Sequence, residues 1–155
     1  MSLNLRYGSA QYHVDLEWKM DRKGEISSPV LDQKIDVATP PEFPKGIPGI
    51  WSPEHLFTAA VSSCFMTTFL AIAENSKLEF NSLSCPAEGV LDRCDGKFAV
   101  TEVFLKPVLK IANPEDLEKA EKILIKAEKA CLISNSIASK IHLETKVLIA
   151  ENQTA

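Results

Sequence analysis

One stretch constrains this chain more than any other: Ser52 to Asn75, SPEHLFTAAVSSCFMTTFLAIAEN. Ser52 is a candidate N-cap and Pro53 suits the first helical position, so together they start a helix with little strain. Glu54 places a carboxylate in the first turn, at the positive end of the helix dipole. No further Asp, Glu, Lys or Arg appears until Glu74. A helix of this length, at 1.5 Å per residue, spans roughly 34 Å, the width of a small domain. A helix apolar or small on every side is expected to be buried on every side, wrapped by other elements. Cys64 sits at its middle, among Ser62, Ser63, Phe65, Thr67 and Thr68.

Two plain readings compete with a functional one. The 18 residues Leu56 to Ala73 could be taken for a membrane span, but five are Ser or Thr and the remaining chain reads as soluble β structure. No membrane association is expected. A free cysteine is also commonly no more than a small core hydrophobe.

A chain of 155 residues fits a single domain, and 45% apolar with 25% charged residues is ordinary for a globular protein. A net charge of −4 without a Lys/Arg cluster argues against nucleic acid as partner. The first residues, MSLNLRYGSAQYH, contain no apolar core of a secretory signal. Cytoplasmic residence is therefore expected, where four cysteines are more often free, catalytic or metal-binding than structural disulfides.

Tyr12, Val14, Leu16 and Trp18 alternate along residues 11–19 and predict a half-buried strand. A turn over Met20–Gly24 and a return strand at Glu25–Ser28 make a hairpin, and Lys34–Thr39 a third strand, giving N-terminal strands over about 11–39. Pro40 to Trp51 holds four prolines and two glycines in twelve residues, so it is loop. Its apolar members Phe43, Ile47, Ile50 and Trp51 either line a pocket or subunit contact, or simply cover the core.

Beyond the central helix (about 53–75), an extended pair is expected over about 78–112. It breaks at Cys85-Pro86, turns at Asp95-Gly96 and is interrupted at Pro107. Asn113-Pro114-Glu115-Asp116 is a second helix start, and Leu117, Ala120, Leu124 and Ala127 recur at helical spacing over about 114–130. A short helical segment over 132–136 and a final strand over about 141–150 close the chain. The class is α+β, with antiparallel sheets curled around the long buried helix.

Of the four cysteines, Cys85 precedes a proline and Cys94 abuts a turn; both read as structural. No C-x-x-C occurs and His13, His55 and His142 lie far apart, so no metal site is expected. SPEHLFTAAVSSCF, followed by Cys131 67 residues after Cys64 in AEKACLISNSI, resembles the OsmC/Ohr family of thiol peroxidases. The first motif of that family resembles Ser52–Phe65, which departs from it at His55, where the family has Glu or Gln. The second is similar to C-P-[IV]-S, from which Cys131–Ser134 departs at Leu132. EGVLDRCDGKFAVTEVFLKP and the N-terminal hairpin extend the likeness over nearly the whole chain.

The resemblance implies an OsmC-like fold in an intertwined homodimer, with active sites at the subunit interface. It implies a two-cysteine peroxidase in which Cys64 is the peroxidatic thiolate and Cys131 the resolving thiol. Arg22 from the hairpin turn, with Lys23 as fallback, would be the activating cation, held by Glu54. No bound cofactor is implied; an external dithiol, such as dihydrolipoamide or a lipoylated protein, would recycle the disulfide. The apolar residues Phe43, Ile47, Ile50, Trp51 and Phe65 are candidates for a substrate pocket favouring organic hydroperoxides over H2O2. Leu132, unlike proline, restores a backbone N–H next to Cys131. A redox sensor that does not turn over and a ligand-binding scaffold are the alternatives on the same fold.

Overall fold

The computed structural model describes residues 9–151. Residues 1–8, on which the expectation of no secretory signal partly rests, lie outside that range. The described chain falls into two compact units that divide after Leu56, within the long helix.

The first unit holds an antiparallel three-stranded sheet: β1 (Asp15–Met20), β2 (Lys23–Ser28) and β3 (Leu31–Ala38), in that order. The register sets Leu16, Ile26 and Ile35 in one row and Trp18, Gly24 and Val37 in the next. Side chains alternate along a strand, so these rows share one apolar face. The first strand is shorter and less buried than the alternation predicts. It begins at Asp15, and Tyr12, Val14, Leu16 and Trp18 are exposed in the single chain. The proline-rich segment is a loop pinned at both ends: the Ile47 N–H donates to Thr39 O at 2.9 Å and the Ala38 N–H to Trp51 O at 2.9 Å.

Helix α1 (Pro53–Asn75) begins where Ser52 and Pro53 place its start. The buried Ser52 Oγ accepts the His55 N–H at 3.2 Å, and the Ser52 carbonyl accepts the Leu56 N–H at 3.0 Å. Its burial corrects the expectation of a helix enclosed on every side. Val61, Phe65, Thr68, Phe69, Ile72 and Ala73 are buried, whereas Ser63, Met66, Thr67 and Leu70 form an exposed stripe. By length and composition alone this helix could cross a membrane.

The rest of the second unit is built from strands that switch sheets at one corner. β4 (Ser82–Ser84), β7 (Val108–Ile111) and β9 (Lys146–Ile149) form one sheet; β5 (Ala87–Cys94), β6 (Lys97–Leu105) and β8 (Lys140–Leu143) form another. Each passage between them breaks at the same level, at Cys85-Pro86, Lys106-Pro107 and Glu144-Thr145. Proline has no N–H to give to a ladder, so Pro86 and Pro107 end the pairing there. Outside the ladders the corner is tied by Lys106 N–H to Pro86 O at 2.9 Å and Lys146 N–H to Pro107 O at 3.0 Å. Two expectations are thereby corrected. The last strand is two strands in two sheets, and β6–β8 and β7–β9 pair in parallel, so the sheets are mixed rather than antiparallel.

Asp95 and Gly96 both take positive φ (52° and 77°), the turn geometry that joins β5 to β6 with the right twist. Gly89 of β5 has a different reason: a Cβ there would collide with the Thr58 hydroxyl of α1. Asn113 caps a 3-10 turn, Pro114–Asp116, by accepting the Glu115 N–H at 3.0 Å. Helix α2 (Leu117–Ala130) follows and buries Ala120, Ile123, Leu124 and Ala127. Leu117, expected inside, is 44% exposed; Ile123 takes its place in the core. These residues meet Val61, Phe65, Phe69 and Ile72 of α1, Val103 and Leu105 of β6, and Leu109 and Ile111 of β7. Complete burial of such a Leu, Ile or Phe side chain stabilises by about 1.5–3 kcal/mol, and this cluster fixes how α1 and α2 meet.

Candidate active site

Cys64 and Cys131 are brought together within the second unit. Cys64, at mid-α1, is half-buried, and Cys131, where α2 ends, is fully buried; both are free thiols. Cys131 leaves helical geometry (φ −65°, ψ 113°), and its N–H returns to Glu128 O at 3.2 Å. The chain then turns tightly. Cys131 O accepts the Asn135 N–H at 3.1 Å, Ile133 O accepts the Ser136 N–H at 2.9 Å, and Leu132 O accepts the Ser136 hydroxyl at 2.7 Å. The Asn135 side chain adds a bond to Lys129 O at 3.2 Å.

This turn aims donors at sulfur. Burial pushes the Cys64 thiol up, but hydrogen bonds outweigh it. Hydrogen bonding from the Ile133 N–H, the Cys131 S–H, the Thr68 hydroxyl and the Leu132 N–H holds the thiol below the ordinary 9.0. Thr68 Oγ1 lies 3.9 Å from the sulfur, one helical turn along. Every one of these donors is neutral. Cys131 shifts the other way: burial raises it, the Ser134 hydroxyl and N–H lower it, and the neighbouring Cys64 raises it again. The Ser134 hydroxyl is shut off from solvent and has no oxygen or nitrogen partner. The pair is therefore asymmetric, an accessible thiol inclined to ionise beside a buried one inclined to stay protonated. Cys85, with burial as the main cause, is pushed up to about 11 and is inert at neutral pH.

The other site residues expected from sequence divide between the units. Arg22 is an exposed residue of the β1–β2 turn; its carbonyl accepts the Thr39 N–H at 3.2 Å, and it makes no ion pair among the described residues. Lys23 is engaged with Asp36 at 3.2 Å. Glu54 occupies the first turn of α1. Ile50 and Trp51, with Gly49 and His55, line an open cavity of about 300 Å³ in the first unit. Phe43 and Ile47 are half-buried loop residues outside that lining. Phe65 is wholly buried in the core of the second unit, because its position faces α2 and the sheets.

Four contributors were not picked out as site residues in the sequence: Thr68, the N–H groups of Leu132 and Ile133, and Ser134. Thr68 had a visible signal, a hydroxyl four residues after a helical cysteine. His55 also acquires a role. Its Nδ1 lies 2.7 Å from Ser52 Oγ and 3.4 Å from Ser52 N, completing a reciprocal capping box in which histidine stands where Glu or Gln is usual.

A family model described as OsmC-like protein matches residues 46–146, which include both cysteines. The chain belongs to the OsmC family. It is similar to the uncharacterized Bacillus subtilis protein YmaD, with 30% identity over 143 residues, covering 89% of this chain and 93% of that protein. Among solved structures, an OsmC-like protein of unknown function from Vibrio cholerae superposes with a TM-score of 0.79 at 27% identity, covering 88% of this chain and 99% of the other. A Legionella pneumophila protein described as an organic hydroperoxide resistance protein OsmC superposes at 0.70 with 25% identity, covering 90% and 99%. OsmC-family membership thus connects the chain with peroxide-related stress defence.

Proposed function

We propose that this OsmC-family chain is a thiol-dependent peroxidase that reduces organic hydroperoxides to alcohols, with H2O2 as a lesser substrate. The observation that carries the reading is the asymmetric pair, Cys64 held toward thiolate and only half-buried, Cys131 fully buried beside it and held toward thiol. The Cys64 thiolate attacks the terminal oxygen of R–O–O–H. An S–O bond forms, the O–O bond breaks, its electron pair leaves with RO⁻, and a proton completes ROH and the Cys64 sulfenic acid. Cys131, as thiolate, then attacks the Cys64 sulfur, forming the disulfide and releasing water. An external dithiol of the dihydrolipoamide type, free or on a lipoylated protein, is oxidised to its own disulfide as it restores both thiols.

Arg22 held by Glu54 would add a positive charge to the neutral donors already at Cys64, and the apolar Phe43, Ile47, Ile50 and Trp51 would favour an organic R group. The working form would be a cytoplasmic homodimer. Apolar surface left open in the single chain, at Leu16, Trp18, Met66 and Leu70, supports that assembly.

The test is consumption of cumene hydroperoxide and H2O2 with dihydrolipoamide, DTT or thioredoxin. It compares the native chain with Cys64→Ser, Cys131→Ser and Arg22→Gln. Multiple turnover is expected for the native chain, none for Cys64→Ser, a single stoichiometric event for Cys131→Ser with dihydrolipoamide withheld, and slower turnover for Arg22→Gln. A native chain that forms its disulfide once but turns over with no reductant would be a sensor; one that does neither would be a binding scaffold.

A further inference from the structure

We propose that Thr68 is a positioning residue for the reactive thiol: its hydroxyl, one helical turn beyond Cys64, donates to the sulfur and holds it in its ionised form. Thr68 Oγ1 lies 3.9 Å from Cys64 Sγ, within hydrogen-bonding reach of that large acceptor. Either atom can carry the shared hydrogen while Cys64 is a thiol. A thiolate has none to give, so ionisation makes the hydroxyl the donor. The neighbouring hydroxyls of α1 are spent differently. Ser62 donates to Ala59 O at 3.2 Å, Ser63 to Ala59 O at 2.7 Å and Thr67 to Cys64 O at 3.1 Å. Each turns back on a main-chain carbonyl of its own helix, a common habit of helical Ser and Thr. Thr68 turns to a side chain instead, and Cys64 Sγ is its hydroxyl's one partner among the described residues.

Packing does not account for a threonine here. Thr68 is 8% exposed, and the other buried residues of α1, namely Val61, Phe65, Phe69, Ile72 and Ala73, are all apolar. Valine has the same shape and no hydroxyl to desolvate, so the core alone would be served better by it. The sulfur accounts for the hydroxyl. Burial raises the Cys64 thiol, and Thr68 is one of the groups whose hydrogen bonding brings it below the ordinary 9.0. That the thiolate so held attacks a hydroperoxide rests on the peroxidase reading; the contact itself does not.

The experiment needs no peroxide. With the chain reduced and the reductant removed, the rate at which iodoacetamide alkylates Cys64 is followed against pH by peptide mass, for the native chain, Thr68→Val and Thr68→Ser. Thr68→Val removes the hydroxyl and keeps the shape. Its midpoint should rise by about 0.3–1 pH unit, roughly a two- to tenfold loss of thiolate at neutral pH and the size of one hydrogen bond. Thr68→Ser keeps the hydroxyl and loses a buried methyl, so it should return the midpoint toward the native value at a lower Tm. Reactivity then follows the hydroxyl and stability the methyl, a separation that a merely structural threonine would not give. A midpoint raised in Thr68→Val and restored in Thr68→Ser supports the proposal whatever the Tm of either variant. A native-like midpoint in Thr68→Val, or one in Thr68→Ser as high as in Thr68→Val, overturns it. Absence of hydroperoxide turnover would overturn the peroxidase reading and leave this result standing.

Discussion

Cys131 influences the ionisation of Cys64 and Cys64 that of Cys131, and the two thiols differ in burial and are shifted in opposite directions. A cysteine pair of equal acidity would leave the attacking sulfur undecided. On the proposed mechanism the order of events is set before any oxidant arrives, because the sulfur inclined to ionise is also the less buried one. Oxidation of Cys64 then alters its partner's surroundings. Once the Cys64 negative charge is gone, its share in raising Cys131 is gone too, which leaves burial to raise that thiol and the Ser134 hydroxyl and N–H to favour its thiolate.

The first prediction concerns pH. Alkylation of Cys64 should follow a single rise with a midpoint below the ordinary 9.0, and Cys85 should stay unmodified until the solution approaches about 11. The signs for stability are opposite. Cys64, lowered on folding, contributes stability that is present above 9.0 and is lost as pH falls through its folded value. Cys85, raised on folding, contributes stability that is present below 9.0 and is lost as pH rises through about 11. Alkylation of Cys85 ahead of Cys64 at any pH below 9 would contradict the assignment.

The Cys64/Cys131 pair was singled out only through the resemblance to the OsmC/Ohr motifs, whereas the helix starts at Ser52-Pro53 and Asn113-Pro114 and the Asp95-Gly96 turn were legible in the sequence because each rests on a backbone preference or capping chemistry particular to those residues. The break at Glu144-Thr145 was not, since alternation runs on through Lys146–Ile149 and neither residue forbids a strand; the corner is imposed by Pro86 and Pro107 on the neighbouring strands. The stripe at Met66 and Leu70 was hidden as well, because a helix apolar all round does not say which side meets its own core. The donors at Cys64 were least visible of all. Every residue but proline carries an N–H, and only the turn after Cys131 decides where those of Leu132 and Ile133 point.

A second prediction isolates the unusual capping box. His55→Ala should remove the ring's reciprocal bond to Ser52 and cost about 0.5–2 kcal/mol, the range for a lost N-terminal cap. For a chain of this size that lowers Tm by roughly 1–8 °C. His55→Gln keeps an acceptor at the same helical position and should recover most of the loss. Thermal unfolding followed by circular dichroism distinguishes the two; equal Tm for the native chain and His55→Ala would make the His55–Ser52 contact incidental.

The last prediction tests what covers the open stripe of α1. Met66 and Leu70 are 42% and 41% exposed, one helical turn apart, on a helix with no Asp, Glu, Lys or Arg between Glu54 and Glu74. Water against two large side chains in the middle of such a helix is costly, at about 25 cal/mol for each Å² of apolar surface left uncovered. A second copy of the chain is the proposed cover. Met66→Glu with Leu70→Glu would then place four carboxylates in one interface, and like charges brought together out of water cost several kcal/mol. Light scattering after size exclusion should give a dimer for the native chain and a monomer for the double variant, with circular dichroism still showing folded protein. A native chain that runs as a monomer at micromolar concentration would remove the dimer from the proposed mechanism, and a double variant that stays dimeric would move the interface to the apolar face of Leu16 and Trp18.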